Sequence, residues 1–224
     1  MTIQLEKKLR SARESAVAAS LAEFEKLLMA IKGGGGDDSK VAKAQEVLRT
    51  LAEKEGIALA YVGGLGAIYH GYERNAKDID IVVAQEDLDV LIRVAPVYGI
   101  KVIWRDPQGW HKLDYRGVKI DVVPEGKKPR PDAPTTIPSP KQLGVAQGAG
   151  YAGLAGWIET KLGSNRIQDK ADVVQVMKVT SAAALAKVRS ALSKVHRFYL
   201  RRFDELRAAA DEEKEQERER GGLR

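Results

Sequence analysis

The stretch YVGGLGAIYHGYERNAKDIDI, residues 61–81, carries the pattern from which the fold is predicted. It overlaps the end of a short apolar run, Ile57–Val62, which predicts a buried strand. The glycine pair Gly63-Gly64 then predicts a turn, and Leu65–His70 predicts a short helix. A second apolar run, Asp78–Val83, predicts another strand. We therefore expect a strand, a glycine turn, a short helix and a strand, in that order.

Two aspartates occupy alternate positions in the second of these strands. Because side chains alternate between the faces of a strand, Asp78 and Asp80 are expected on one face and Ile79 on the other. A third aspartate, Asp121, lies in another apolar run, where a lone carboxylate is expensive to bury. Neighbouring carboxylates repel each other unless a cation lies between them, and Mg²⁺ prefers oxygen ligands. If the two strands are neighbours, the three acids converge on two divalent ions, Mg²⁺ or Mn²⁺.

The glycine pair predicts a phosphate site beside these acids. Glycines let the backbone approach phosphate oxygens, so Gly63 and Gly64 are candidate ligands of a nucleoside triphosphate. A helix beginning at Leu65 would add its positive N-terminal end. The alternative is that the glycines form a plain turn and that Asp-Ile-Asp is an ordinary strand end.

Beyond this stretch, the pattern predicts further strands and an N-terminal helical region. Residues 1–55 are expected to form two helices separated by Gly33–Gly36, as an extension or a cover for the domain that follows. Residues 56–125 form that core domain. Strands are expected at Ile100–Trp104, Trp110–Tyr115 and Val118–Val123, and the turn Tyr115-Arg116-Gly117 joins the last two as a hairpin. The aromatic residues of these strands, Trp104, Trp110 and Tyr115, are expected in the core rather than as a stacking platform.

The C-terminal half is expected to be helical after an irregular segment. Six of the eight prolines lie between positions 124 and 140 and predict a loop over residues 126–150. Residues 151–224 predict a helical region that ends in a charged tail. The fold class expected is α+β, with a small mixed sheet, flanking helices and a helical C-terminal region.

Composition limits the classes of function. The net charge of +6 and the isoelectric point near 9.4 suit an anionic partner such as a nucleotide, RNA or DNA, although many proteins with this charge bind no nucleic acid. The absence of cysteine excludes disulfides and thiolate metal sites. No apolar stretch approaches the length of a membrane span, and the first residues lack the apolar core of a signal peptide. We expect a cytoplasmic location and no membrane partner.

Gly63-Gly64 followed by Asp78-Ile79-Asp80 resembles the motif of the DNA-polymerase-beta-like nucleotidyltransferase superfamily, with Asp121 at the position of its third acid. The fuller stretch from residue 61 is similar to the abortive-infection and minimal-nucleotidyltransferase branch, whose members include toxins. In that branch an arginine shortly before the acids is common, and Arg74 matches it. The resemblance implies an enzyme of the EC 2.7.7 type that moves a nucleoside monophosphate from an NTP to an acceptor hydroxyl.

A second match lies in the helical region. Lys161, Arg166, Asp169 and Asp172 are similar to the Lys…Arg-x-x-Asp-x-x-Asp segment of the toxin-like nucleotidyltransferases. The resemblance implies that Lys161 contacts nucleotide phosphates and that Asp169 orients the phosphate or the acceptor. An ordinary surface ion pair is the alternative.

The acceptor remains open at this stage. The positive charge and the second motif favour RNA or protein, and a small antibiotic is a further candidate. Two alternatives lie outside catalysis: a nucleotide-binding module of the same fold, and a toxin-like component bound by an antitoxin. The presence of all three acids argues against a non-catalytic module.

Overall fold

The computed structural model describes residues 37–221, which form seven α-helices and six strands. The helices are α1 (Asp37–Glu55), α2 (Gly63–Tyr69), α3 (Leu88–Val94), α4 (Leu154–Ser164), α5 (Ile167–Val179), α6 (Ala182–Val195) and α7 (Arg197–Gly221), with 3₁₀ turns at Gln85–Asp87 and Ala95–Tyr98. The strands are β1 (Leu59–Tyr61), β2 (Asp78–Val83), β3 (Lys101–Trp104), β4 (His111–Tyr115), β5 (Val118–Pro124) and β6 (Ala149–Tyr151). The helix expected before Gly33–Gly36 lies outside the described residues. In the described part of the chain, no helix has both the length and the apolar character needed to cross a membrane.

The six strands form one mixed sheet in the order β3-β4-β5-β2-β1-β6. β2 lies in the middle, parallel to β5 and antiparallel to β1. β4 and β5 form a hairpin whose two turn residues, Arg116 and Gly117, both have positive φ (52° and 88°). Positive φ at both turn positions matches the twist of the flanking strands and allows this tight connection.

Helices cover both faces of the sheet. On one face, β2 presents Ile79 and Ile81, which join a core that includes Leu48 of α1 and Leu91 of α3. On the other face, β2 presents Asp78 and Asp80 and then Val82, and Val82 belongs to a second core shared with α4–α7. The second face is therefore polar at one end and apolar where the C-terminal helices pack.

The fold class expected from the sequence is confirmed: α+β, with a small mixed sheet, flanking helices and a helical C-terminal region. The strand predicted over Asp78–Val83 is confirmed residue for residue, and the predicted β4–β5 hairpin is present.

Three expectations are wrong in detail. Gly63-Gly64 is not a turn before the helix, because α2 itself begins at Gly63. Strand β6 spans the end of the segment expected to be loop and the first residue of the region expected to be helical, and its three residues pair with β1. Trp104 is not in the core: its side chain is 48% exposed on the edge strand β3.

Leu48→Ala tests whether α1 belongs to the core of this domain. Leu48 is fully buried, so its truncation should lower the free energy of unfolding by about 2–5 kcal/mol, from lost burial and the cavity left behind. The measurement is urea unfolding. Glu46→Ala, at an exposed position of the same helix, is the control and should change stability by less than about 0.5 kcal/mol. Equal effects of the two substitutions would show that α1 is peripheral.

Candidate active site

The three predicted acids lie on the polar face of the sheet, on two neighbouring strands. β2 and β5 pair in parallel with Asp80 directly opposite Asp121, and with Asp78 opposite Lys119. Adjacent strands are about 4.8 Å apart, so this register places Asp80 and Asp121 side by side. The geometric expectation that acids from two separate strands meet is confirmed for this pair.

The charge of Asp80 is poorly compensated. Burial, and after it the neighbouring carboxylates of Asp78 and Asp121, raise the pKa of Asp80 from its ordinary value of 3.8 to about 6. Lys161 and Arg166 act in the opposite direction without cancelling the effect. A carboxylate with a raised pKa between two others is a position where a bound cation would be stabilising.

The acids are neighbours but are not arranged as a complete ligand set. Across residues 37–221, no group of three or more His, Cys, Asp or Glu side chains is placed to hold a metal ion. The Asp121 Oδ1 atom accepts a hydrogen bond from Lys112 Nζ at 3.3 Å, and Asp78 is exposed. Oxygen donors at Asp80 and Asp121 nonetheless have the chemistry that Mg²⁺ and Mn²⁺ take.

Gly63 packs directly against Asp80. A Cβ atom added at Gly63 would lie 1.7 Å from Asp80 Oδ2, and its φ of +54° also disfavours any other residue. The indole of Trp157, on α4, donates from Nε1 to the Gly63 carbonyl oxygen at 3.0 Å. The first glycine therefore makes room for the Asp80 carboxylate and is held in place by the helical layer. Gly64 is buried, and its Cα faces Arg74 and Ala76.

A cavity of about 330 Å³ opens over Asp80 and Asp121. Gly63 lies on its floor beside the two acids. The helical side contributes Lys161 of α4 and Arg166, which precedes α5, and the sheet contributes Trp104 of β3 and Lys112 of β4. The remaining lining residues are Val62, Val82, Trp110, His111, Val122, Val123, Pro129, Ile137, Thr160, Ser164 and Asp169.

Lys161 is buried and held by two carboxylates. Its Nζ donates to Asp169 Oδ1 at 3.0 Å and to Asp172 Oδ2 at 2.7 Å. Asp172, whose side chain is fully buried, also accepts both hydrogen bonds from Arg74 Nη1, each at 2.7 Å. An ammonium group has three N–H donors, of which these two carboxylates use two, and Lys161 also lines the cavity.

Asp169 binds two cations, Lys161 and Arg166. Arg166 Nε donates to Asp169 Oδ2 at 2.8 Å and its Nη2 donates to Asp169 Oδ1 at 3.1 Å, while the side chain is 73% exposed and lines the cavity. Burial alone would raise the pKa of Asp169, but the hydrogen bonds and charges of Arg166 and Lys161 outweigh it and bring the pKa to about 2. Asp169 is therefore a permanent anion that positions two cations.

The predicted nucleotide residues separate into two groups. Gly63, Lys161 and Asp169 line the cavity, whereas Gly64 and Arg74 do not. Arg74 binds Asp172, the carboxylate that it shares with Lys161. The sequence interpretation assigned no site role to Arg166, Lys112 or Trp104. Arg166 stood in the quoted motif three residues before Asp169, but nothing in the sequence pairs Lys112 with Asp121.

The chain matches no protein-family model and no curated protein. Among solved structures, it is similar to the solution structure of the antibiotic-resistance factor ANT(2'')-Ia, with 15% identity, a TM-score of 0.42, and coverage of 84% of this chain and 100% of that one. It is also similar to a crystal structure of ANT(2'')-Ia in complex with an adenylylated tobramycin, with 13% identity, a TM-score of 0.42, and coverage of 78% and 98%. A likeness this distant says nothing about the reaction or the substrate of this chain.

Asp80→Asn should stabilise the protein when divalent ions are absent. The pKa of Asp80 is higher in the folded protein than in the unfolded chain, so the folded state binds this proton more tightly. As the pH rises from about 4 to about 6, the proton is lost and the free energy of unfolding falls by up to about 3 kcal/mol. Urea unfolding in EDTA at pH 4, 5, 6 and 7 measures the effect. The difference between wild type and Asp80→Asn should grow over this range. The control is Asp78→Asn, at an exposed position, which should change the free energy of unfolding less. If the free energy of unfolding of wild type and Asp80→Asn depends on pH in the same way, the raised pKa does not belong to Asp80.

Asp172→Asn should destabilise the fold strongly. The substitution leaves Lys161 and Arg74 without their shared anion in a buried site, which costs about 3–5 kcal/mol of unfolding free energy. Asp204→Asn is the matched control, because the pair of Asp204 with Arg189 is exposed on both sides and its loss costs less than about 1 kcal/mol. Chemical denaturation compares the two. If both variants lose the same small amount, the Asp172 network does not support the helical layer.

Proposed function

We propose that this chain is a nucleotidyltransferase, which transfers a nucleoside monophosphate from an NTP to an acceptor hydroxyl. The observation that carries the proposal is the pairing of Asp80 with Asp121 at the floor of a cavity whose helical flank holds Lys161 and Arg166. Anions and cations are thus separated across one cavity. That separation suits a ligand that brings both phosphates and metal ions.

The helical flank is the expected position of the triphosphate. Lys161 offers its third N–H to the cavity, and Arg166 offers the part of its guanidinium that Asp169 does not use. A guanidinium and an ammonium are the side-chain groups that recognise phosphate most strongly. Gly63 would add a backbone N–H from the first turn of α2, where N–H groups have no acceptor within the helix.

In the proposed reaction, the acceptor oxygen attacks the α-phosphorus of the NTP. An O–P bond forms, the bond from the α-phosphorus to the bridging oxygen breaks, and pyrophosphate leaves with the electron pair. The hydroxyl proton passes to a carboxylate oxygen of Asp121. Lys161 and Arg166 hold the departing phosphates and offset their charge.

The acids also supply the proposed metal ligands. Asp80 and Asp121, with Asp78 beside them, have the oxygen donors for Mg²⁺ or Mn²⁺. The pKa of Asp80, raised mainly by burial, indicates that Lys161 and Arg166 offset its charge only in part. Two such ions, when bound, would stabilise the attacking and the leaving oxygens. Lys112, 3.3 Å from Asp121, offsets part of the negative charge from the protein side.

RNA and protein remain the favoured acceptor classes, and a small antibiotic remains an alternative. A nucleotide-binding module without activity, or a toxin-like component bound by an antitoxin, would use the same cavity without completing the transfer. These two alternatives differ from a transferase in one measurable respect: the protein would bind an NTP but form no product.

Transfer should depend on the two paired acids. The protein is incubated with each α-³²P-labelled NTP, with Mg²⁺ or Mn²⁺, and with pools of RNA, protein or aminoglycosides. We expect label in one acceptor pool. Asp80→Asn and Asp121→Asn should each reduce transfer by about 10³-fold or more, because charge stabilisation of the transition state is removed.

Lys54→Ala, at an exposed position of α1, is the control and should retain full transfer. Undiminished transfer in Asp80→Asn would show that the acids are misassigned. NTP binding by the wild type without transfer to any pool would favour the non-catalytic module.

A further inference from the structure

One row of side chains crosses four strands of the sheet and ends at the paired acids. Trp104 of β3 lies opposite Lys112 of β4, Lys112 lies opposite Asp121 of β5, and Asp121 lies opposite Asp80 of β2. Residues that are directly opposite in a sheet share a face, and all four line the same cavity. An indole and an ammonium group are therefore aligned with the acids, on the flank opposite Lys161.

The neighbouring row on the same face is different. It consists of Lys101, Asp114, Lys119 and Asp78, which alternate in charge from strand to strand. Opposite charges at facing positions compensate each other. The row through Asp121 has two acids and only one lysine. Its fourth member, Trp104, is uncharged and takes no part in charge compensation. Of the three tryptophans in the chain, Trp104 has the most exposed side chain, at 48%.

We propose that Trp104 and Lys112 form the acceptor site, and that they bind the end of a single-stranded nucleic acid. The terminal base stacks on the Trp104 indole, the adjacent phosphate contacts Lys112 Nζ, and the terminal ribose hydroxyl points towards Asp121. This proposal rests on the proposed function, since it supplies the acceptor for that reaction.

The spacing along the row fits this arrangement. With strands about 4.8 Å apart, Lys112 is one strand and Trp104 two strands from Asp121. The hydroxyl that reacts therefore lies at the acids, and the base lies at the outer edge of the cavity, on the edge strand β3. Stacking on an exposed aromatic ring combined with a cation for the backbone is the usual mode of single-strand binding.

The same residues disfavour the other acceptors. A polycationic antibiotic would find no acidic partner at Trp104 and would compete with Lys112 for Asp121. A protein side chain with a hydroxyl group has neither a base to stack on the indole nor a phosphate to bind the lysine. A triphosphate bound at Trp104 and Lys112 would contact β3 and β4 rather than the helical elements that carry Lys161 and Arg166.

Lys112 is able to serve both Asp121 and an acceptor phosphate. Its side chain is 59% exposed, and its contact with Asp121 Oδ1 is long, at 3.3 Å. Divalent ions at Asp121 would weaken that contact by repulsion. The ammonium group is then available to the phosphate of the acceptor, while the flexible stem of the lysine keeps it near the acids.

Binding of a labelled oligonucleotide tests the proposal without any transfer. A fluorescein-labelled single-stranded RNA of about 12 nucleotides, within the usual range of single-strand sites, is titrated with the full-length chain while anisotropy is measured. Every protein in this titration also carries Asp80→Asn, so that no nucleotide is transferred during the measurement. Trp104→Ala should raise the Kd roughly tenfold or more, and Trp104→Phe should recover most of the affinity. Lys112→Ala should lower the slope of log Kd against log salt by about 0.7, the value for one phosphate contact on a single strand.

Three controls accompany these variants. Ile103→Ala removes an exposed apolar side chain next to Trp104, and Lys54→Ala removes a lysine from the opposite face of the sheet. Both should bind RNA as the parent does. A single-stranded DNA of the same sequence distinguishes recognition of stacking and phosphate, which is common to both nucleic acids, from recognition of the ribose.

Steady-state kinetics then distinguishes the residues that bind the RNA acceptor from those that bind the NTP. Trp104→Ala and Lys112→Ala should raise KM for the RNA acceptor and leave KM for the NTP unchanged. Arg166→Ala should do the reverse. A higher NTP KM in Trp104→Ala would place the NTP base on the indole and overturn the assignment. Unchanged RNA affinity in both Trp104→Ala and Lys112→Ala would also overturn it.

The two proposals fail differently. If the chain binds RNA through Trp104 and Lys112 but transfers nothing, the nucleic-acid site stands, and its role as an acceptor site fails together with the transferase function. If transfer depends on Asp80 and Asp121 but labels only protein or aminoglycosides, the function stands and the nucleic-acid site does not. Circular dichroism and thermal unfolding of each variant verify that the exposed substitutions leave the fold intact.

Discussion

The site depends on one pairing, the parallel register that sets Asp80 of β2 opposite Asp121 of β5. Two carboxylates on adjacent strands repel each other, and burial of Asp80 increases the cost, as its pKa of about 6 indicates. This arrangement is held in place by the apolar side of the same two strands, where Ile79, Ile81 and Ile120 are fully buried. The hydrophobic core thus supports an arrangement of charge that would be unfavourable by itself.

The helical layer supplies the opposite charge and fixes its position. Asp169 and Asp172, both buried, hold Lys161 between them, and they bind Arg166 and Arg74 on either side. Because these cations are already paired, they face the acids of the sheet across a cavity instead of collapsing onto them. Trp157 connects the layers through its hydrogen bond to the Gly63 carbonyl. A polar cavity with separated charges is a suitable place for a ligand that carries phosphates together with cations.

Much of the fold and part of the site could be predicted from the sequence. The strand of Asp78–Val83 followed from its apolar run, and the common face of Asp78 and Asp80 followed from their spacing of two. The β4–β5 hairpin followed from Arg116-Gly117. The three residues of β6 gave no periodic pattern, because a strand this short is defined by its partner β1 rather than by its own residues. The exposure of Trp104 was missed for a similar reason, since β3 became an edge strand only through the order of the sheet.

By itself, the sequence determined the local features: the central strand β2, the tight turn between β4 and β5, and the common face on which Asp78 and Asp80 project. These features follow from backbone geometry over a few residues. Only the tertiary structure decided that β5 lies beside β2, that Lys161 is shared by Asp169 and Asp172, and that Lys112 and Trp104 are aligned with Asp121. Such relations join residues far apart in the chain, and they depend on the order of the strands and on the packing of helices against both faces of the sheet.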